Sequence, residues 1–198
     1  MRRLIFSLAG LATMSAAAPA VAQFSESYKF LEAVRKKEGE KVTEALADPA
    51  QTVINTRDVT SGETALHIVT NRRDLTWMQF LIAKGANVNA RDAKGVTPLV
   101  SAVNANFVEG VELLLGKGAR LDESNNAGET PIITAVHNRN VAMIRMLLKA
   151  GADPDRADNS GRSAKDYAAL GGGNLLAEIE ANARAKDASK AKSYGPKF

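Results

Sequence analysis

Apolar residues fall along this chain in pairs of short runs, and a polar or glycine break separates the two runs of each pair. Within a run they recur every three or four positions, which places them on one face of a helix. The second runs read Leu75, Trp77, Met78, Leu81 and Ile82, then Val108, Val111, Leu114 and Leu115, then Val141, Ile144, Leu147 and Leu148. The pattern predicts pairs of short antiparallel helices joined by tight turns.

The first run of each pair opens on a hydroxyl residue, namely Thr64, Thr97, Thr130 or Ser163. An alanine or a proline follows each of them, and apolar residues come next. A hydroxyl at the N-cap and a proline in the first turn both favour the start of a helix. We therefore expect a first helix to begin after each of these four positions.

Two sets of glycines repeat every 33 residues without slippage, and such a fixed period is typical of a solenoid. A glycine just past a helix fits a left-handed C-cap, where it has no steric cost. The first set is Gly62, Gly95, Gly128 and Gly161, and the second is Gly85, Gly118 and Gly151.

The segments that open the first helices are TALHIV from Thr64, TPLVSA from Thr97 and TPIITA from Thr130. With the period of 33, they resemble the T-P-L-H-x-A signature of ankyrin repeats. The resemblance covers residues 25–181. It implies an all-α fold, an ankyrin repeat solenoid of about five helix-turn-helix repeats with β-turn connections. The helix-turn glycine usual in that family is Arg73, Asn106 or Arg139 here.

The domain organisation follows from this frame. We predict a signal peptide (1–22), a degenerate N-terminal capping repeat (23–57), three ankyrin repeats (58–90, 91–123, 124–156), a C-terminal capping repeat (157–183) and a Lys/Ala-rich flexible tail (184–198). In the N-terminal cap we expect helices over 28–35 and 42–46, joined around Gly39. One extra residue between Asp58 and Gly62 predicts a bulged loop.

The N-terminus has the three parts of a secretory signal peptide: arginines at 2 and 3, an apolar run over 4–18, and Ala20-Val-Ala22 as a cleavage site. We expect Sec-type export to the periplasm or outside the cell, with cleavage after Ala22. The alternative is an uncleaved anchor, but a membrane-spanning helix needs roughly 20 apolar residues. No membrane span is therefore expected after cleavage.

Composition and net charge exclude several kinds of site and partner. The chain has no cysteine, so disulfides and a lipid-bearing cysteine are excluded. The formal net charge is +4, and about half of it belongs to the two signal-peptide arginines. Such a small excess argues against nucleic-acid binding.

Catalytic and metal-binding chemistry is not indicated. The histidines are His67 and His137, and the resemblance implies that His67 hydrogen-bonds neighbouring turns, while His137 ends a first helix. Asp153 and Asp155 flank a proline in a turn and lack the further oxygen ligands that calcium requires. Trp77, Phe80, Phe107 and Met143 fit an inter-repeat core, with an aromatic binding box as the alternative. We predict no catalytic residue, no metal, no cofactor and no enzyme activity.

The predicted function is binding of another protein, of unknown identity, by a chain that is monomeric when free. The resemblance implies contact through turn tips and the concave inner-helix surface. The residues in these places are Thr60, Ser61, Glu63, Asn71, Arg72, Arg91, Ala93, Lys94, Val96, Asn104, Ala105, Asn126, Ala127, Glu129, His137, Asn138, Asn159, Ser160 and Arg162. Arg72, Arg91 and Lys94 are expected on one edge between Glu63 and Glu129, giving it mainly positive potential.

Other functions remain open. The protein could be an inhibitor, an immunity factor or a stress-protection factor for an exported enzyme, or an envelope-associated structural protein. The lysine-rich tail could attract an acidic partner or simply be solvated.

Overall fold

The computed structural model describes residues 25–47, 53–171 and 174–182, and within these ranges it is all-α, as predicted. The signal peptide, its cleavage site and the tail beyond residue 182 lie outside the described residues. The helices are α1 (Glu26–Lys36), α2 (Gly39–Ala45), α3 (Ala65–Asn71), α4 (Leu75–Ala83), α5 (Pro98–Asn104), α6 (Val108–Gly116), α7 (Pro131–His137), α8 (Val141–Ala150), α9 (Ala164–Leu170) and α10 (174–182), with a 3-10 turn at Val53–Asn55.

The helices form two layers. The first helices of the pairs (α1, α3, α5, α7 and α9, here the inner helices) pack side by side in chain order. The second helices α2, α4, α6 and α8 each pack on the inner helix before them. One apolar core runs through the stack, with Leu66, Leu99 and Ile132 of the inner helices almost fully buried. Each repeat therefore buries its apolar face against its neighbours, as in a solenoid.

The hydroxyl residues do precede the inner helices, but they do not all cap them alike. The Thr97 side chain accepts a hydrogen bond from the amide of Val100. Ser163 and Asp166 form a reciprocal capping box. Thr130 is the exception, because its hydroxyl is buried without a hydrogen-bond partner in the described part of the chain.

The turns between paired helices need a left-handed residue, and the chain uses residues other than glycine. Arg73, Asn106 and Arg139 have φ values of 57°, 50° and 51°. In the N-terminal cap the equivalent residue is Lys37, with φ of 59°. The prediction that Gly39 joins the two cap helices is therefore wrong: Gly39 is the first residue of α2, and Lys37 makes the turn.

The extra residue before Gly62 bulges the loop, as predicted. The Gly62 amide donates to the carbonyl of Asp58, four residues back, whereas the Gly95 amide donates to Asp92, three residues back. Val59 is 99% exposed as a result.

The aromatic residues of the second helices are only partly core. Phe107 is buried as predicted, but Trp77 and Phe80 are half-buried. Their rings meet edge to face, 6.1 Å apart, beside an apolar groove that α2 lines through Gly39 and Thr43.

A membrane span would need a longer and more apolar helix than any found in the described ranges.

Candidate functional site

The turns that precede the inner helices (the turn tips) lie in one row, because each tip binds the next through the backbone. The amides of Ala93, Asn126 and Asn159 donate to the carbonyls of Ser61, Lys94 and Ala127, at 2.9, 2.9 and 3.0 Å. The glycines allow this close approach. A Cβ atom on Gly95, whose φ is 75°, would lie 2.4 Å from Oδ1 of Asn126. The sequence-predicted tip residues are thus brought together.

A carboxylate or amide oxygen shapes each tip from within. Asp92 Oδ1 accepts from the amides of Lys94 and Val96, both at 2.8 Å. Asn125 and Asp158 make the same pair of bonds in the next two tips, to Ala127 and Glu129 and to Ser160 and Arg162. In the bulged first tip, Asp58 Oδ1 accepts from the amides of Thr60 and Ser61. The Glu63 amide donates to the Ser61 hydroxyl instead.

These acceptor residues were not among the predicted site residues, although their recurrence three or four positions before the tip glycine was visible in the sequence. Backbone hydrogen bonds from Ser61, followed by Arg35, hold the pKa of Asp58 well below its usual range. The Tyr167 hydroxyl, 2.6 Å away, is the first cause of the low pKa of Asp158. The carboxylates at both ends of the row therefore stay ionised and remain acceptors for the amides of their tips.

Side-chain amides strengthen the row. Asn126 Nδ2 donates to the carbonyl of Ala93 at 3.0 Å, and Asn159 Nδ2 donates to the carbonyl of Asn126 at 2.9 Å. Both asparagines remain exposed. They combine a structural bond to the previous tip with a polar surface on the outside.

Arg72 does not contribute to the expected positive edge, which is a correction. Its Nη1 donates to the carbonyl of Val34 in α1 at 2.8 Å, and its Nη2 lies 3.3 Å from the Asp74 carboxylate. The guanidinium also lies 5.6 Å from the centre of the Trp77 ring. Arg72 therefore joins the first repeat to the N-terminal cap.

The two other cations of that edge differ. Arg91 pairs with Glu123 at 3.2 Å, and the guanidinium of Arg120, followed by that of Arg91, lowers the pKa of the Glu123 carboxyl. Lys94 is exposed, and no carboxylate in the described ranges pairs with it. The tip row is therefore of mixed charge, and both Lys94 and Arg162 are exposed cations on it.

The last residues of the inner helices lie beside the tips. Asn71 donates to Glu63 at 3.0 Å, and His137 Nδ1 lies 3.4 Å from the Glu129 carboxylate. These contacts fix the helix end to the tip in the first and third repeats. In the second repeat the equivalent positions are Asn104 and Val96, and the valine side chain cannot accept the same hydrogen bond.

His137 belongs to a cluster that crosses into the last repeat. Its ring meets that of Tyr167 edge to face, 4.5 Å away, and the Arg162 guanidinium lies 5.9 Å from the centre of the same Tyr167 ring. Ser160 donates to Asp158 in the same tip. An aromatic ring with a guanidinium and a carboxylate around it can take part in both polar and apolar contacts.

The remaining predicted residues fall next to this surface. Asn138 donates to Asn104 across the seam between the second and third repeats, at 3.4 Å. Ala105 is the C-cap of α5, and its amide donates to the carbonyl of Ser101. None of the nineteen predicted residues is buried.

His67 has the structural role that the resemblance implied. Its Nδ1 accepts from the Thr64 amide at 3.2 Å, and its Nε2 lies 3.0 Å from the carbonyl of Val96 in the next repeat, so Nε2 carries the proton. Burial lowers the pKa of His67 and keeps the ring neutral. In the described part of the chain, no cluster of three histidine or carboxylate side chains is placed to hold a metal ion.

Comparison with known families gives two overlapping matches. A model of ankyrin repeats in three copies matches residues 30–125, and a model of ankyrin repeats in many copies matches residues 114–168. Together they reach from α1 to α9. A search among curated proteins gives no significant match.

Proposed function

We propose a function for this chain, which belongs to the ankyrin repeat family. It is an exported, non-catalytic module that binds another protein through its tip row and inner-helix ends. Ankyrin repeats are generally non-catalytic interaction modules, so binding of a protein follows from the family. Export and the particular surface are the further steps of the proposal.

The row of turn tips carries the proposal. Four tips are joined by direct backbone bonds, and their outer side chains are exposed. A surface that is already rigid loses little conformational entropy when a partner binds. Exposed charges such as Lys94 would steer the encounter and set specificity more than affinity.

Substitutions at two exposed alanines test the surface. Ala93→Arg and Ala127→Arg each add a bulky side chain to a tip without removing a side-chain contact. The matched control is Ala83→Arg with Ala142→Arg, at exposed alanines on the second helices α4 and α8. We expect the double tip variant to lose a partner that co-purifies with the wild type, whereas the control variant retains it. Equal recovery with the tip variant, at an unchanged melting temperature, would exclude this surface.

Export is supported by the charged start, the apolar run and the Ala-x-Ala site at the N-terminus. The intact mass of protein from the periplasmic fraction should correspond to a chain that begins at Gln23. A full-length protein that stays with the membrane fraction would overturn the export proposal and leave the binding proposal untouched.

A further inference from the structure

A polar groove lies across the seam between the second and third repeats, at the helix-turn side of the stack. Its volume is about 420 Å³. Four asparagines line it, Asn104 and Asn106 from the second repeat and Asn138 and Asn140 from the third, together with Arg139. We call this the amide groove. Among the residues that the structure describes, no carboxylate lines it.

The four amides pair across the seam but keep hydrogen-bonding capacity. Asn138 donates to Asn104 at 3.4 Å, and Asn140 donates to Asn106 at 2.6 Å. The Nδ2 groups of Asn104 and Asn106 and the Oδ1 atom of Asn138 have no protein partner within the described ranges. The groove therefore offers donors from one repeat and an acceptor from the other.

Part of this arrangement has a structural cause. Asn106 holds a left-handed turn, which asparagine tolerates well, and Asn140 caps α8 by accepting from the amide of Met143 at 3.1 Å. Asn104 and Asn138 have no such task. Both are exposed, and beyond their weak mutual bond they contribute nothing visible to folding.

A side-chain amide matches the main chain of a peptide, since both offer one N–H face and one C=O face. Adjacent repeats pack about 10 Å apart, and an extended chain advances about 3.3 Å per residue. About three residues of an extended segment would thus cross from one repeat to the next. Val141, which is partly exposed, also lines the groove and would contact small apolar side chains.

The charge of the groove comes from Arg139. Its side chain is exposed, and no carboxylate pairs with it in the described part of the chain. A guanidinium binds a carboxylate through two parallel hydrogen bonds. The groove is therefore complementary to a segment that carries Asp or Glu.

We propose that the amide groove binds an extended peptide segment of a protein partner through the main chain of that segment, with an acidic side chain on Arg139. This inference rests on the proposed function and names the kind of contact that the partner makes. It concerns the helix-turn side of the second and third repeats, apart from the tip row.

The test uses a decapeptide selected on the full-length chain from a displayed random library and then synthesised with a fluorophore. Its affinity is measured by fluorescence polarisation for the wild type and for Asn104→Ala with Asn138→Ala. We expect the double variant to bind about tenfold more weakly, because two hydrogen bonds are lost. Gln79→Ala removes an exposed side-chain amide on the second helix α4, outside the groove, and should bind like the wild type.

Two changes to the peptide separate main-chain recognition from other binding. Methylation of a main-chain nitrogen removes one N–H without altering any side chain, and at the position in the groove it should weaken binding about tenfold. Replacing the acidic residue by its amide should weaken binding to the wild type but not to Arg139→Gly.

Two results would overturn the inference: no peptide is selected, or the asparagine variant binds as tightly as the wild type. If selected peptides lose affinity with Ala93→Arg and Ala127→Arg but not with the asparagine variant, the groove proposal fails and the tip row remains supported.

Discussion

Two seams of the stack are closed in opposite ways. Between the N-terminal cap and the first repeat, Arg72 reaches back to the carbonyl of Val34 and covers part of the Trp77 ring. Between the second and third repeats, Asn138 occupies the equivalent position and makes a long bond to Asn104. The first seam uses its polar residue for stability, whereas the second leaves its polar residues in contact with solvent. Equivalent positions of a repeat can thus be structural in one place and available for binding in another.

The largest expected effect separates these two seams directly. Arg72→Ala should lower the free energy of unfolding by about 2–3 kcal/mol, because a charged hydrogen bond to the Val34 carbonyl and the contact of the guanidinium with the Trp77 ring are both lost. Asn138→Ala should change it by less than about 0.5 kcal/mol. Urea denaturation measures both. Similar losses for the two variants would remove the contrast between the seams.

A second prediction concerns the seam between the first and second repeats, which His67 closes. The pKa of His67 is lowered in the folded protein, so below about pH 6.5 the unfolded chain binds more protons. The contribution of the neutral ring is complete above that pH and is lost as the pH falls. The pKa values of Asp58 and Asp158 are also lowered, so the stability that these two carboxylates contribute should be lost only below about pH 4.

Measuring the melting temperature between pH 7.5 and pH 5 tests the direction of this pH dependence of stability. The wild type should become less stable on acidification, and His67→Gln should remove most of the slope while lowering stability throughout. A wild type whose stability is flat over this range would contradict the role of His67. Val100 and Ile133 occupy the equivalent position in the next two repeats, so those seams should not respond.

The smallest expected effect is on stability, when the left-handed residues of two helix turns are replaced by glycine. Arg139→Gly should stabilise the protein by about 0.5–1 kcal/mol, since glycine adopts a left-handed conformation without steric cost. Arg73→Gly should stabilise it less, because the Arg73 guanidinium also lies 5.7 Å from the centre of the Phe107 ring. Thermal melts can order the two variants. A larger gain for Arg73→Gly would mean that this ring contact contributes nothing.

The sequence predicted the repeats because their determinants are local and periodic. The positions of Gly95 and Gly128 and the hydroxyl residue two positions after each are enough to place the tips and the inner helices. The bulge at Val59 followed from counting one extra residue. The left-handed turns at Arg73 and Arg139 could be located only by alignment with glycine-bearing relatives of the repeat.

The surface was less predictable because side-chain direction depends on the neighbouring repeat. Arg72 stands at a position that often contacts partners, and nothing local shows that its side chain reaches a carbonyl 38 residues away. The pairing of Asn104 with Asn138 likewise spans 34 residues and depends on the register of two helix ends. Both contacts require packed repeats before they can be seen.

The central claim is that partners bind along the tips and inner-helix ends rather than on the second helices. A photoreactive amino acid at position 104 can be compared with the same residue at position 112, which is exposed on α6. After irradiation in cells, we expect position 104 to crosslink to one discrete protein and position 112 to give no crosslink. Mass spectrometry should identify the same crosslinked protein in repeated experiments. A crosslink from position 112 and none from position 104 would contradict the account.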